Sequence, residues 1–176
     1  MALILVHGRG ASAADIMGVY DALDRPELAA LAPEAPGGTW YPYSFLAPIE
    51  QNQPHLDRAL QQLDELVQHL LKEGVSAERI GLLGFSQGAC LSLEYAIRNP
   101  RRYGAVMALT GGYIGPQGMT RDDMGSFDET PVFIGANDPD PHVPFARVEK
   151  TAALLKRMHA DVEVRRYPGT SRPGKP

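Results

Sequence analysis

The 176-residue chain carries one cysteine, Cys90, so no internal disulfide can form and a reducing compartment is the simpler setting. Cys90 falls in an apolar helical stretch, where a buried structural thiol is expected rather than a reactive one. Charge of one sign is also scarce. The formal net charge is −4, and the late basic residues Arg172 and Lys175 are too few for a patch, so no nucleic-acid partner is expected. No apolar run is long enough to span a bilayer, and the opening residues 1–6 are too short for a signal segment and lack a basic leader. A cytoplasmic protein is the expectation. No repeat, linker or low-complexity segment divides the chain, which suits a single domain, 1–176, with 169–176 as an atypical tail that disorder would suit. His55 and His69 lie on a helix without metal-ligand spacing, and no metal is expected.

What is present is an alternation of strands and helices. Residues 2–6 form a continuous apolar run, the pattern of a strand covered on both faces. Ile16, Val19, Tyr20 and Leu23 then recur at helical spacing. Residues 24–54 are rich in proline, glycine and aromatics, with a short helix and strand allowed near 28–33. From 55 to 73, Leu56, Leu60, Leu63, Val67 and Leu70 make one face of a long amphipathic helix that Gly74 ends. Further strands are read at 79–85, 103–109, 131–135 and, edge-like, 162–167, with helices at 89–98 and 148–158. The pattern predicts an α/β fold, a doubly wound, mostly parallel sheet of about six strands with helices on both faces. Residues 111–130 are long enough to suggest a functional rim loop.

The chain is organised around Gly84-Phe85-Ser86-Gln87-Gly88, which ends an apolar strand and opens a small-residue helix. In such an elbow the serine sits at the tip of a strained turn, and the two glycines remove Cβ atoms that would collide as strand and helix close. A bare Gly-x-Ser-x-Gly arises by chance in tight turns, but here the strand and helix stand on both sides of it. The turn aims the Gln87 amide above the Ser86 hydroxyl, and the helix start adds partial positive charge. His7-Gly8-Arg9-Gly10 ends the first strand. Its glycines let the backbone turn tightly, so the Arg9 amide can face the same point as that of Gln87. A second reading takes His7 as a residue that packs and hydrogen-bonds at the loop base. Trp40 and Tyr41, on a loop that Pro42 keeps from being an internal strand, either line a substrate pocket or close the core.

These residues carry a resemblance. His7-Gly8-Arg9-Gly10, the Gly84 to Ala89 elbow, Asp140-Pro141-His142-Val143-Pro144 and Tyr167-Pro168-Gly169 together resemble the phospholipase/carboxylesterase branch of the α/β-hydrolases, which includes acyl-protein thioesterases. The resemblance implies an α/β-hydrolase fold and a carboxylic ester or thioester as small-molecule substrate. It implies Ser86 as nucleophile, an oxyanion hole from the amides of Arg9 and Gln87, and no metal or organic cofactor. An aspartate after the 131–135 strand is implied as acid. Spacing from the glycine favours Asp138 and spacing to Val-Pro favours Asp140; Asp140 is preferred and Asp138 is the alternative. Gly8, Trp40, Tyr41 and His142 are the candidate substrate-binding residues, and a homodimer stays open.

The chain departs from the family after Tyr167-Pro168-Gly169. Arg172 occupies the place of the catalytic histidine, and an arginine stays protonated and cannot take a proton from serine near neutral pH. Two prolines and a glycine in the last four residues also forbid the family's terminal helix. An impaired hydrolase is expected, with a catalytically inactive binding protein as the alternative. His7, His142 and His159 are the candidates for a substitute base.

Overall fold

The structure, a computed structural model, describes residues 1–169. Arg172 and the expected absence of a terminal helix lie outside the described residues. Six parallel strands, β1 (Ala2–Val6), β2 (Ala29–Leu31), β3 (Ile80–Phe85), β4 (Ala105–Leu109), β5 (Pro131–Asp138) and β6 (Asp161–Pro168), form one sheet in the order β2-β1-β3-β4-β5-β6. Four helices, α1 (Ala13–Leu23), α2 (His55–Lys72), α3 (Gln87–Arg98) and α4 (Phe145–Arg157), cover it. The continuous apolar run of β1 is explained by its place: all five residues are buried between layers on both faces. Ile4, Val6, Leu82, Val106 and Ile134 point to the larger core beneath α2, α3 and α4, while Leu3, Leu5 and Leu83 meet Ile16 of α1 on the other face.

Local chemistry sets the element ends. Ser12 and Asp15 form a capping box at the start of α1. After α2, Gly74 takes φ +83°, the left-handed conformation that closes a helix without a Cβ penalty. β5 runs three residues past the end read from the sequence, because Ala136, Asn137 and Asp138 pair with Arg166, Tyr167 and Pro168 of β6. That pairing is a tertiary fact with no local signature. Since all strands run the same way, the segments after β1, β3 and β5 emerge at one edge of the sheet, where ligand sites of open parallel sheets are built.

The long segment 111–130 is anchored rather than loose. Glu94, buried in α3, accepts from Arg98 Nε at 2.7 Å, Arg121 Nη1 at 2.5 Å and the Ile114 amide at 3.1 Å. Arg121 also meets Asp123 through two bonds of 2.8 Å. Arg147 of α4, also buried, donates to the carbonyls of Tyr113, Gly115 and Pro116 and lies 4.4 Å from the Tyr113 ring centroid. Burial lowers its pKa.

Candidate active site

Ser86 joins β3 to α3 with φ 52° and ψ −115°, a conformation that a non-glycine residue holds only when its surroundings force it. The glycines on either side show what forces it. A Cβ on Gly84 would lie 2.2 Å from the Gly88 carbonyl oxygen, and one on Gly88 would lie 2.0 Å from that of Val6. Strand, turn and helix are therefore in backbone contact, and the serine is pushed outward. Its amide donates to Leu109 O at 2.9 Å and its carbonyl accepts from the Cys90 amide at 3.1 Å. The side chain is half-buried and faces a cavity of about 790 Å³.

That cavity is lined by Arg9, residues 41–46, Ser86, Gln87, Cys90 and residues 141–143. Candidates from four distant parts of the chain, Arg9, Tyr41, Ser86 with Gln87, and His142, thus meet at one place. Gly8 does not line the cavity; it lies under it, where a Cβ would come 3.2 Å from the Phe85 ring and 3.5 Å from Ser86 Cβ. Its lack of a side chain lets the loop after β1 close against the elbow. Among the described residues neither the Arg9 amide nor the Gln87 amide donates to a protein acceptor.

The aromatic loop divides into the two roles expected of it. Trp40 belongs to the core and not to the lining: it is 3% exposed, and its indole N–H donates to His7 O at 2.9 Å. Tyr41 lines the cavity, while its buried hydroxyl lies beside the Cys90 thiol without a hydrogen bond of ordinary geometry. Burial raises the pKa of both groups, that of Cys90 to about 12. Phe45 and Leu46 also line the cavity. Sequence reading passed over them because nothing local separates them from their neighbours.

Side chains on both sides of Ser86 hold this loop. Gln87 Oε1 accepts from the Trp40 amide at 3.0 Å, and Nε2 donates to Tyr41 O at 2.8 Å. The Arg9 guanidinium donates to the carbonyls of Tyr41, Pro42 and Tyr43 at 2.8–3.0 Å. Neither side-chain role has a signal in the sequence.

The two aspartates differ in their partners. Asp140 Oδ1 accepts from the amides of His142 and Val143, both at 2.8 Å, which fixes the turn that carries Pro141, His142 and Val143 onto the cavity wall. Asp138 is ion-paired through Oδ2 with Arg166. Of the candidate histidines, His142 lines the cavity and is exposed. His7 is buried: its Nδ1 bonds Gly8 O at 2.8 Å and its Nε2 accepts from the Ala35 amide, which marks it as the packed loop-base residue. His159 follows α4, where its carbonyl accepts from the Glu129 amide ahead of β5, at the opposite end of the sheet from Ser86. The 111–130 segment does not line this cavity; 119–123 instead border a separate hollow of about 410 Å³ with Ile49, Glu94 and Arg98. The segment packs against residues of the cavity wall without forming the wall itself: a Cβ on Gly111 would come 2.6 Å from Ala89 Cβ and 3.0 Å from the Cys90 amide nitrogen, and the Gly115 amide donates to Phe45 O at 2.9 Å. Among the described residues no group of three or more His, Cys, Asp or Glu side chains could hold a metal ion, and no helix is long and apolar enough to cross a membrane.

Comparison with known proteins agrees with this geometry. The profile of the family described as Phospholipase/Carboxylesterase matches residues 1–173. Acyl-protein thioesterase 1 of Kluyveromyces lactis is 35% identical over 91 residues, covering 49% of this chain and 38% of that protein. The enzyme of the same name from Saccharomyces cerevisiae is 34% identical over 86 residues, with the same shares covered. The matches thus span well under half the length of these relatives. A crystal structure of a phospholipase/carboxylesterase from Dyadobacter fermentans superposes with a TM-score of 0.91 at 48% identity, covering 98% of this chain and 81% of that one.

Proposed function

The chain belongs to the phospholipase/carboxylesterase family, and from its site we propose that it is a serine hydrolase of small carboxylic esters or thioesters that works through an acyl-enzyme. The observation that carries this reading is Ser86, held in a strained elbow at the wall of a cavity that Arg9 and Gln87 also line, their amides without a protein acceptor among the described residues. Ser86 Oγ attacks the carbonyl carbon, and the oxygen that gains negative charge is held by the amides of Arg9 and Gln87, with the start of α3 adding to the field. Expulsion of the alcohol or thiol leaves an ester on Ser86, which water hydrolyses.

Asp140 is the acid in this reading. Two amides orient its carboxylate through Oδ1, leaving Oδ2 for an imidazole, whereas the Asp138 carboxylate is engaged by Arg166. At the family's histidine position stands Arg172, which cannot serve as base. Turnover is therefore slow, resting on the oxyanion hole and on binding, which by themselves supply about a thousandfold over water in a serine hydrolase stripped of triad members. Hydrolysis of a short-chain p-nitrophenyl ester faster than by Ser86→Ala is the expected result; equal rates would refute the reading. Arg172→His should raise the rate, and Asp140→Asn but not Asp138→Asn should abolish that gain.

The alternative is a binding protein that keeps the pocket without turnover. It is favoured by one observation: the Ser86 hydroxyl does not cap α3, and among the described residues no base hydrogen-bonds it. A fluorophosphonate probe separates the two. Labelling at Ser86 speaks for a live nucleophile; ligand binding without labelling speaks for the binding protein. A cytoplasmic setting belongs to the same proposal.

A further inference from the structure

The two edges of the sheet are unlike. β2, at one edge, has three residues and offers little to pair with. β6, at the other, has eight residues, all of them in register with β5 on one side, and among the described residues no segment pairs with its outer side. A free edge of that length is a template for another strand unless something blunts it. Of the usual blunting devices β6 carries charge, at four of its eight positions. β6 is unbroken by a bulge, its one proline is the last residue, Pro168, and among the described residues no helix or loop bonds its outer rim.

Its charges add a direction. Along Asp161-Val162-Glu163-Val164-Arg165-Arg166-Tyr167-Pro168 the acidic residues stand in the first half and the basic residues in the second. Charges guard a free edge where an incoming strand would set like charges directly opposite them. This one carries charges that attract its own reverse. We propose that the outer edge of β6 pairs antiparallel with β6 of a second copy of this chain about a twofold axis at Val164. In that register residue i faces residue 328 − i of the other copy, so Glu163 faces Arg165 twice across the axis. Val164 faces its own equivalent, and Val162 lies opposite the aliphatic stem of Arg166.

The arrangement fits the pleat. Glu163 and Arg165, two residues apart, share one face of the sheet, and a twofold axis perpendicular to the sheet keeps that face common to both copies. Within one chain the Arg165 guanidinium already bonds Glu163 Oε1 at 2.6 Å, with both side chains well exposed. Pairing would exchange or share this contact rather than force a buried charge to find a new partner. A parallel arrangement would set like charges side by side, so the sequence of β6 selects the antiparallel one.

Sedimentation velocity across a concentration series tests the proposal, with the unaltered chain and the variants Glu163→Arg and Arg165→Glu. Each single reversal places like charges opposite one another at both positions and should weaken dimerisation about tenfold. Mixing the two variants should restore the dimer as a heterodimer, because each then presents the complement of the other, although the contact within each chain stays broken. The double variant Glu163→Arg/Arg165→Glu should dimerise like the original. A monomeric unaltered chain at all concentrations overturns the proposal. So does a dimer indifferent to either reversal, or a mixture that fails to associate while circular dichroism shows both variants folded.

Discussion

Gln87 Nε2 donates to the carbonyl of Tyr41 at 2.8 Å, and the same carbonyl accepts from Arg9 Nη2 at 3.0 Å. Two residues that line the cavity together with Ser86 therefore use their side chains on one point of its facing wall. With the oxyanion hole proposed above, each residue would do two things with two different parts of itself.

Substitutions that spare the amides should expose this double duty. Gln87→Ala leaves the buried Trp40 N–H without an acceptor and should cost about 1–3 kcal/mol in stability. Arg9→Ala removes three bonds at the more exposed rim and should mainly loosen residues 41–43, slowing fluorophosphonate labelling of Ser86 more than it lowers the melting temperature. Urea unfolding and labelling rates measured on both variants check the split. Equal losses by both measures would mean that the loop and the nucleophile are not linked.

The elbow allows no added carbon. A Cβ at Gly88 would lie 2.0 Å from Val6 O, a contact that only a shift of β1 against α3 can relieve. Gly88→Ala should destabilise the fold by about 3 kcal/mol or more, at the upper end for overpacking. Gly18→Ala, where an added Cβ meets nothing within 4 Å, should be neutral or mildly stabilising. Chemical denaturation of the pair gives the comparison.

Arg147 should resist conservative replacement. Three backbone carbonyls and the faces of Tyr113 and Phe45 surround its guanidinium, and among the described residues no carboxylate pairs with it. Lysine cannot reproduce the planar fork, so Arg147→Lys and Arg147→Leu should both cost about 2–4 kcal/mol. A lysine variant as stable as the original would show that charge alone suffices there.

Cys90 should be silent in the native protein and should weaken the fold in alkali. Burial holds its pKa near 12, against about 8.5 for a free thiol, so native protein should resist iodoacetamide at pH 8 and react once unfolded in urea. Between those two values the unfolded chain releases a proton that the folded chain keeps. Stability is therefore full below the lower value and falls as pH rises toward the upper. Burial also raises Tyr103 to about 12, which acts in the same direction. Denaturation midpoints from pH 8 to 11 should decline, less steeply in Cys90→Ala.

Much of the architecture was readable because each element carries a local cause. The five residues of β1 are apolar because both faces of that strand are covered, and α2 shows its buried stripe at every turn. The far end of β5 was not readable, because Asn137 and Asp138 are strand residues only through β6. Trp40 and Tyr41 are adjacent and similar in chemistry, yet one is a strut bonded to His7 and the other faces the cavity. Only the path of the backbone between Gln87 and Arg9 separates them.

By itself the sequence determined the elbow. Gly84, Ser86 and Gly88 can stand between an apolar strand and a small-residue helix in few ways, because backbone contact at 2.0–2.2 Å from any added Cβ leaves no alternative to glycine. It determined as well that position 172 holds an arginine, which is a matter of covalent chemistry. The tertiary structure decided what surrounds the serine: which aromatics face it, which aspartate is tied to Arg166, and which side chains hold the opposite wall. Those depend on contacts between residues tens of positions apart, and such contacts follow from how the sheet brings its strand ends together rather than from any short run of letters.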